Sequence, residues 1–95
     1  MVTTEAMPEN FVLHQNYPNP FNPVTEIRYA IPGDAQVTLD MYSIRGTRVA
    51  TLVDGHQAAG SYTLHWSAAD LASGIYLCVL RAGHLTAVRK MVLLR

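Results

Sequence analysis

From Thr25 onward the chain alternates between apolar and polar positions. "TEIRYAI" sets Ile27, Tyr29 and Ile31 on one side and Glu26, Arg28 and Ala30 on the other, the period-two spacing of a strand with one buried face. "VTLDMYS" repeats this with Val37, Leu39 and Met41, and "SYTLHWS" with Tyr62, Leu64 and Trp66 against Thr63 and His65. "IYLCVLR" is apolar on both sides and suits a central strand. The closing "LTAVRKMVLLR" alternates less strictly, but only "RAGH" separates it from its predecessor, which favours hairpin pairing.

Between these runs lie turn residues. "PGDAQ" combines a proline that presets φ with a glycine that permits φ above zero. "IRGTR" is a short glycine-bearing loop that should join "VTLDMYS" to the strand "VATLV" as a hairpin. "DGHQAAG" reads as a glycine-bounded connection, and "AADLASG" as one helical turn or a loop ended by Gly74. Short strands at intervals of about 8 to 12 residues with no long helix predict an all-β, immunoglobulin-like antiparallel sandwich of about seven short strands. The Cys, Trp, Cys arrangement of antibody domains is absent, which leaves Trp66 as the large core candidate. No repeat of 20 to 50 residues is evident.

Ahead of the first alternating run stands "NYPNPFNP", Asn16, Tyr17, Pro18, Asn19, Pro20, Phe21, Asn22 and Pro23, with three of the chain's five prolines. Each proline removes a backbone donor and restricts the residue before it, so neither a helix nor a central strand accepts the segment. A rigid, extended, ordered lead-in is expected. Its asparagines should cap turns through side-chain hydrogen bonds, and Tyr17 and Phe21 should pack on the edge of the first strand. Residues 1–10 are polar and aperiodic and read as a linker or a foreign terminus, which sets the folded domain at 11–95.

Composition narrows the function classes. Ninety-five residues, 49% hydrophobic and 15% charged, make one small globular domain. A net charge of zero removes the electrostatic case for nucleic acid. The charges are nevertheless segregated: Glu26, Asp34 and Asp40 come early, while Arg81, Arg89, Lys90 and Arg95 come late. Pairing of early with late strands on a solvated face is the simplest expectation. The single cysteine, Cys78, forms no intrachain disulfide and sits in an apolar run as a small buried hydrophobe. No apolar run approaches the roughly 20 residues that span a membrane as a helix. The opening "MVTTEAMPEN" lacks the pattern of a secretory signal peptide, so the chain is expected to be either cytosolic or a piece of something longer.

The residues offer no catalytic or metal-binding constellation. His14, His56, His65 and His84 are not at ligand spacing, and HExxH, CxxC, GxSxG and phosphate-loop patterns are missing. No metal, no cofactor and no enzymatic activity are expected. The five tyrosines are spread over the strands, which favours core and cross-strand packing over stacking on sugars or bases.

In order along the chain, "FVLHQNYPNPFNPVTEIRYAIP", "VTLDMYSIRGTRVATLV", "AAGSYTLHW", "LASGIY" and "RAGHLTAVRKMVLLR" resemble the C-terminal sorting domain of the type IX (Por) secretion system, type A. The resemblance covers residues 11–95, and the immunoglobulin-like domain of the flagellar hook-capping scaffold protein is a related family. It implies a non-catalytic module at the C-terminus of a secreted protein from the Bacteroidetes and related lineages. Such a module is folded in the periplasm, recognised by the outer-membrane type IX translocon, and often removed by a sortase that attaches the cargo to surface lipopolysaccharide. It also implies that Arg89, Lys90, Met91, Leu94 and Arg95 belong to the part the translocon or sortase reads. "NYPNPFNP" would then be the boundary between the linker of an upstream cargo domain and the sorting domain. Ser43 stands where the family often has Asp or Asn, Thr47 interrupts the usual "GR" of that loop, and Cys78 replaces a common aromatic or polar residue.

The implied destination is the cell exterior or the cell surface, by way of the periplasm. An all-β domain of this kind also has edges through which a homodimer can form. The competing reading is a structural or adhesive sandwich, either a hook-scaffold or a carbohydrate-binding module. It requires Tyr17, Tyr42, Tyr62 and Trp66 to be exposed together.

Overall fold

The computed structural model describes residues 11–95. Seven strands run in the order β1 (Val12–Leu13), β2 (Val24–Ile31), β3 (Ala35–Ser43), β4 (Arg48–Gln57), β5 (Gly60–Ser67), β6 (Gly74–Ala82) and β7 (Leu85–Leu93). They form two antiparallel sheets, one of three strands ordered β1-β2-β5 and one of four ordered β4-β3-β6-β7. The predicted all-β antiparallel sandwich is what the chain forms.

Alternation explains the packing. Ile27, Tyr29 and Ile31 from β2 meet Val37, Leu39 and Met41 from β3 and Cys78 and Leu80 from β6 in one core. β6 lies between β3 and β7, as its two-sided apolar run predicts. Tyr62 stacks on Tyr29 with centroids 5.3 Å apart, and the Tyr29 hydroxyl donates to Gln57 Oε1 at 2.6 Å. Burial raises the Tyr29 phenol above its ordinary pKa, partly offset by that bond. Burial also pushes the Cys78 thiol up to about 12, with Asp40 adding to the effect. The thiol therefore stays protonated and serves as packing, as its apolar setting implied.

Two turns follow directly from their glycines. Gly83, at φ 60°, opens the two-residue connection between β6 and β7, a place where a side chain would strain the tight hairpin. Gly46, at φ 91°, sits in the β3–β4 loop. There Ser43 Oγ accepts from the amides of Arg45 and Thr47, each at 3.3 Å, so the serine does the turn-capping work of an Asp or Asn.

Three expectations need correction. "DGHQ" is strand rather than connection: Asp54 to Gln57 pair with Thr38 to Ala35, because main-chain pairing outweighs the weak propensity of a glycine-bearing polar stretch. β1 had not been anticipated; it is two residues long and pairs with Ala30 and Tyr29. The early acids do not pair with the late bases. Among the described residues the one ion pair is Arg28 Nε to Glu26 Oε2 at 3.9 Å within β2, while Arg89 and Arg95 bond to backbone carbonyls instead. "AADLASG" is a turn, closed by the Leu71 amide donating to the Ala68 carbonyl at 3.0 Å.

Candidate functional site: the last strand and the segment that binds its edge

β7 is an outer strand of the four-stranded sheet. Every residue of β7 has a partner in β6; the odd-numbered residues turn their backbone N–H and C=O to β6 and the even-numbered ones turn theirs away from the sheet, as the direction of the Val92 and Leu94 bonds establishes. Along the C-terminal half of that edge lies the proline segment. The Phe21 amide donates to the Val92 carbonyl at 2.9 Å, and the Leu94 amide donates to the Phe21 carbonyl at 3.0 Å. The Val92 amide donates to Asn19 Oδ1 at 2.9 Å, and Gln15 Nε2 donates to the Lys90 carbonyl at 2.7 Å. A segment that cannot enter a sheet as a regular strand thus closes the end of one.

The segment is anchored from behind. The Phe21 side chain is 1% exposed and packs against Trp66 with centroids 5.8 Å apart. Asn16 is buried, and its amide nitrogen donates to Thr25 Oγ1 at 2.9 Å and to the Pro18 carbonyl at 3.0 Å. Asn16 Oδ1 accepts from Gln15 at 2.8 Å, and Thr25 Oγ1 donates to the Pro18 carbonyl at 2.9 Å. Every polar atom of that buried amide is satisfied, which makes it costly to replace. The Tyr17–Pro18, Asn19–Pro20 and Asn22–Pro23 peptides are cis.

The expected ordered, docked segment is present, with two differences. Phe21 binds the edge of the last strand, not the first, because sequence order says nothing of which distant edge a segment will meet. Tyr17 pairs by backbone with Glu26 of β2 at 2.8 and 3.0 Å, but its ring is 75% exposed. The prolines hold the backbone so that one of the two aromatics faces the core.

The late residues separate into different environments. Met91 is 1% exposed inside the sandwich. Arg89 shares that side of β7, facing Cys78 across the pair, and its Nε donates to the Leu13 carbonyl at 2.8 Å, which ties β7 to the other sheet. Arg95 reaches back over the β5–β6 loop. Its backbone amide donates to Ser73 Oγ at 2.8 Å, and one guanidinium nitrogen donates to the carbonyls of Ala68, Ala69 and Leu71. Arg89, Lys90, Leu94 and Arg95 are all exposed, but the two arginines carry these bonds to the backbone. Two of the three cations and the methionine are therefore engaged in holding the tail in place, a role that spacing alone could not reveal.

The four aromatics needed by a sugar-binding face do not converge. Trp66 is in the core, Tyr62 is stacked on Tyr29, Tyr17 pairs with β2, and Tyr42 pairs with Leu77 on the other sheet. Three cavities of about 220, 250 and 250 Å³ are shallow surface features, below the roughly 300 Å³ at which ligand pockets begin. Among the described residues no group of three or more His, Cys, Asp or Glu converges on a metal position.

Comparison with known proteins bears on this tail directly. Residues 15–94 match the family described as the secretion system C-terminal sorting domain. The chain belongs to this family. The match begins at Gln15 and ends at Leu94, the two ends of the edge contact just described. A sorting domain marks the protein that carries it for a secretion system. No curated protein matches the sequence. Among solved structures, the sorting domain is similar to a chain from a study of PorZ, described as an essential surface component of the type-IX secretion system of Porphyromonas gingivalis. It shares 17% identity with that chain at a TM-score of 0.58, over 92% of this chain and 12% of that one. At that identity the similarity shows the shared fold, and the sorting domain spans about an eighth of the PorZ chain.

Proposed function

We propose that the domain is the non-catalytic signal by which the type IX secretion system recognises an upstream cargo, carries it across the outer membrane from the periplasm, and delivers it to the exterior or the cell surface. Its partners are the outer-membrane translocon and the sortase, and the domain needs no cofactor. The observation that carries this reading is the state of β7. The strand lies at a sheet edge, closed from Lys90 to Leu94 by Gln15 and the proline segment that follows it, and free of further backbone partners among the described residues at Thr86 and Val88.

An open stretch of edge can be read by strand addition, which supplies affinity through the main chain. The exposed Lys90 beside it favours an acidic receptor and speeds encounter. In this account Arg89, Met91 and Arg95 hold the strand in the form that is read, while Lys90 and Leu94 remain accessible. The proline segment, Asn16 to Pro23, marks where the cargo's linker ends and the folded domain begins.

Fusing the chain to a reporter in a host that has the secretion system, with and without residues 86–95, tests the reading. Truncation should trap the reporter in the periplasm. Normal surface display of the truncated fusion would sink it.

A further inference from the structure

The two sheets differ on their outer faces. On the three-stranded sheet the outward positions Glu26, Arg28, Ser61, Thr63, His65 and Ser67 are polar, with Val24 at one end and the small Ala30 at the other as the apolar members of that face. On the four-stranded sheet the register aligns Tyr42, Leu77 and Lys90 in one row and Asp40, Val79 and Val88 in the next. Ile75 and Val92 complete the patch across β6 and β7. Val79, on this face by register, is 8% exposed and stands outside the cluster packed between the sheets. Val88 is 52% exposed and Ile75 is 37% exposed. A contiguous apolar stripe on a solvent-facing sheet marks an interaction surface.

Cations border this stripe. Arg48 pairs with Tyr42 in register, Arg81 lies opposite Thr38 and Thr86, and Lys90 stands at the end of the Tyr42 row. All three are exposed. The face carries two acids of its own: buried Asp40, which accepts from the Thr51 hydroxyl at 2.7 Å, and exposed Asp54, which accepts from Gln36 at 3.2 Å and lies in the row of Arg81. The Tyr42 row, with Arg48 and Lys90 at its two ends, holds no acid. The only ion pair among the described residues lies on the other sheet.

We propose that the outer face of the four-stranded sheet is a docking surface for a protein partner that presents apolar side chains ringed by carboxylates. Charge complementarity selects this occupant. A second copy laid Tyr42 row against Tyr42 row would set Arg48 and Lys90 against the same two cations. A membrane surface favours protruding Trp, Phe or Leu above a larger basic cluster, whereas this stripe is built largely of short β-branched side chains lying on the sheet. The proposal rests on the sorting function and adds the chemistry of the partner, with Lys90 shared between the strand edge and this face.

The test uses the reporter fusion with the full chain in a secreting host. Reversing the three cations together (R48E, R81E, K90E) should lower surface display about tenfold or more, and Val88→Ser should lower it by a smaller factor. Keeping the charges (R48K, R81K, K90R) should preserve display. All positions are exposed, and thermal unfolding of each purified variant verifies that it folds; the pair R48E, R81E, which leaves β7 unaltered, serves if the triple variant does not. Full display of a folded double or triple variant overturns the proposal. If display survives charge reversal but not removal of residues 86–95, the face falls and the sorting reading stands; survival of both changes sinks both. Sedimentation with phosphatidylglycerol vesicles, or dimerisation in sedimentation velocity, that is abolished by the triple reversal overturns the protein partner in favour of a lipid or a second copy.

Discussion

The four-stranded sheet ends in β4 on one side and β7 on the other, and the two edges are finished by different means. β4 carries two bulges, where Leu52 and Val49 fall outside the register with β3. Bulges twist an edge and spoil it as a template for another strand. β7 pairs regularly with β6 over its whole length and is covered at its C-terminal half by a segment from the other end of the chain. An edge that is only to be kept inert can be distorted. Under the proposed function the edge of β7 is read by strand addition, and such an edge must stay regular, with its protection coming from a separate segment.

The strongest way to break this contrast is at Phe21, which joins the edge segment to the core. Phe21→Ala should cost about 3 to 5 kcal/mol in urea unfolding. Truncating the half-buried bulge residue Val49, which packs against the margin of the core, to Ala should cost about 1 kcal/mol. Equal losses at the two sites would mean that the proline segment is no more built in than an ordinary edge residue. A finer cut is Asn19→Ala, which removes the side-chain acceptor from the Val92 amide while leaving Phe21 in place. Its expected cost is about 1 kcal/mol, with faster exchange confined to Val92. Tyr17→Ala should change stability by less than about 0.5 kcal/mol, because the ring is 75% exposed. A larger loss would show that the ring has a packing role.

Much of the sandwich was legible in the chain. β2, β3, β5 and β6 announce themselves through period-two alternation or a doubly apolar run, and β7 through its short turn, because these signals depend on residues close in sequence. β4 was read short, since Asp54, Gly55, His56 and Gln57 have poor strand propensity and are held by pairing with β3. β1 consists of two residues and carries too little pattern to register. The site was legible only in outline. The proline segment could be recognised as rigid and docked, but its contact with β7 spans more than 70 residues of sequence, and no local rule reaches that far. The roles of Arg89 and Arg95 as backbone clamps were hidden for the same reason. The basic-apolar outer face became visible only once the register had put Tyr42, Leu77 and Lys90 in line.

The central claim is that the edge of β7 is closed at one half and open at the other. Amide hydrogen exchange on the unaltered chain measures this residue by residue. The Val92 and Leu94 amides, held by Asn19 and Phe21, should exchange about two orders of magnitude more slowly than the outward amides of Thr86 and Val88 on the same strand. Equal exchange at all four positions would contradict the account.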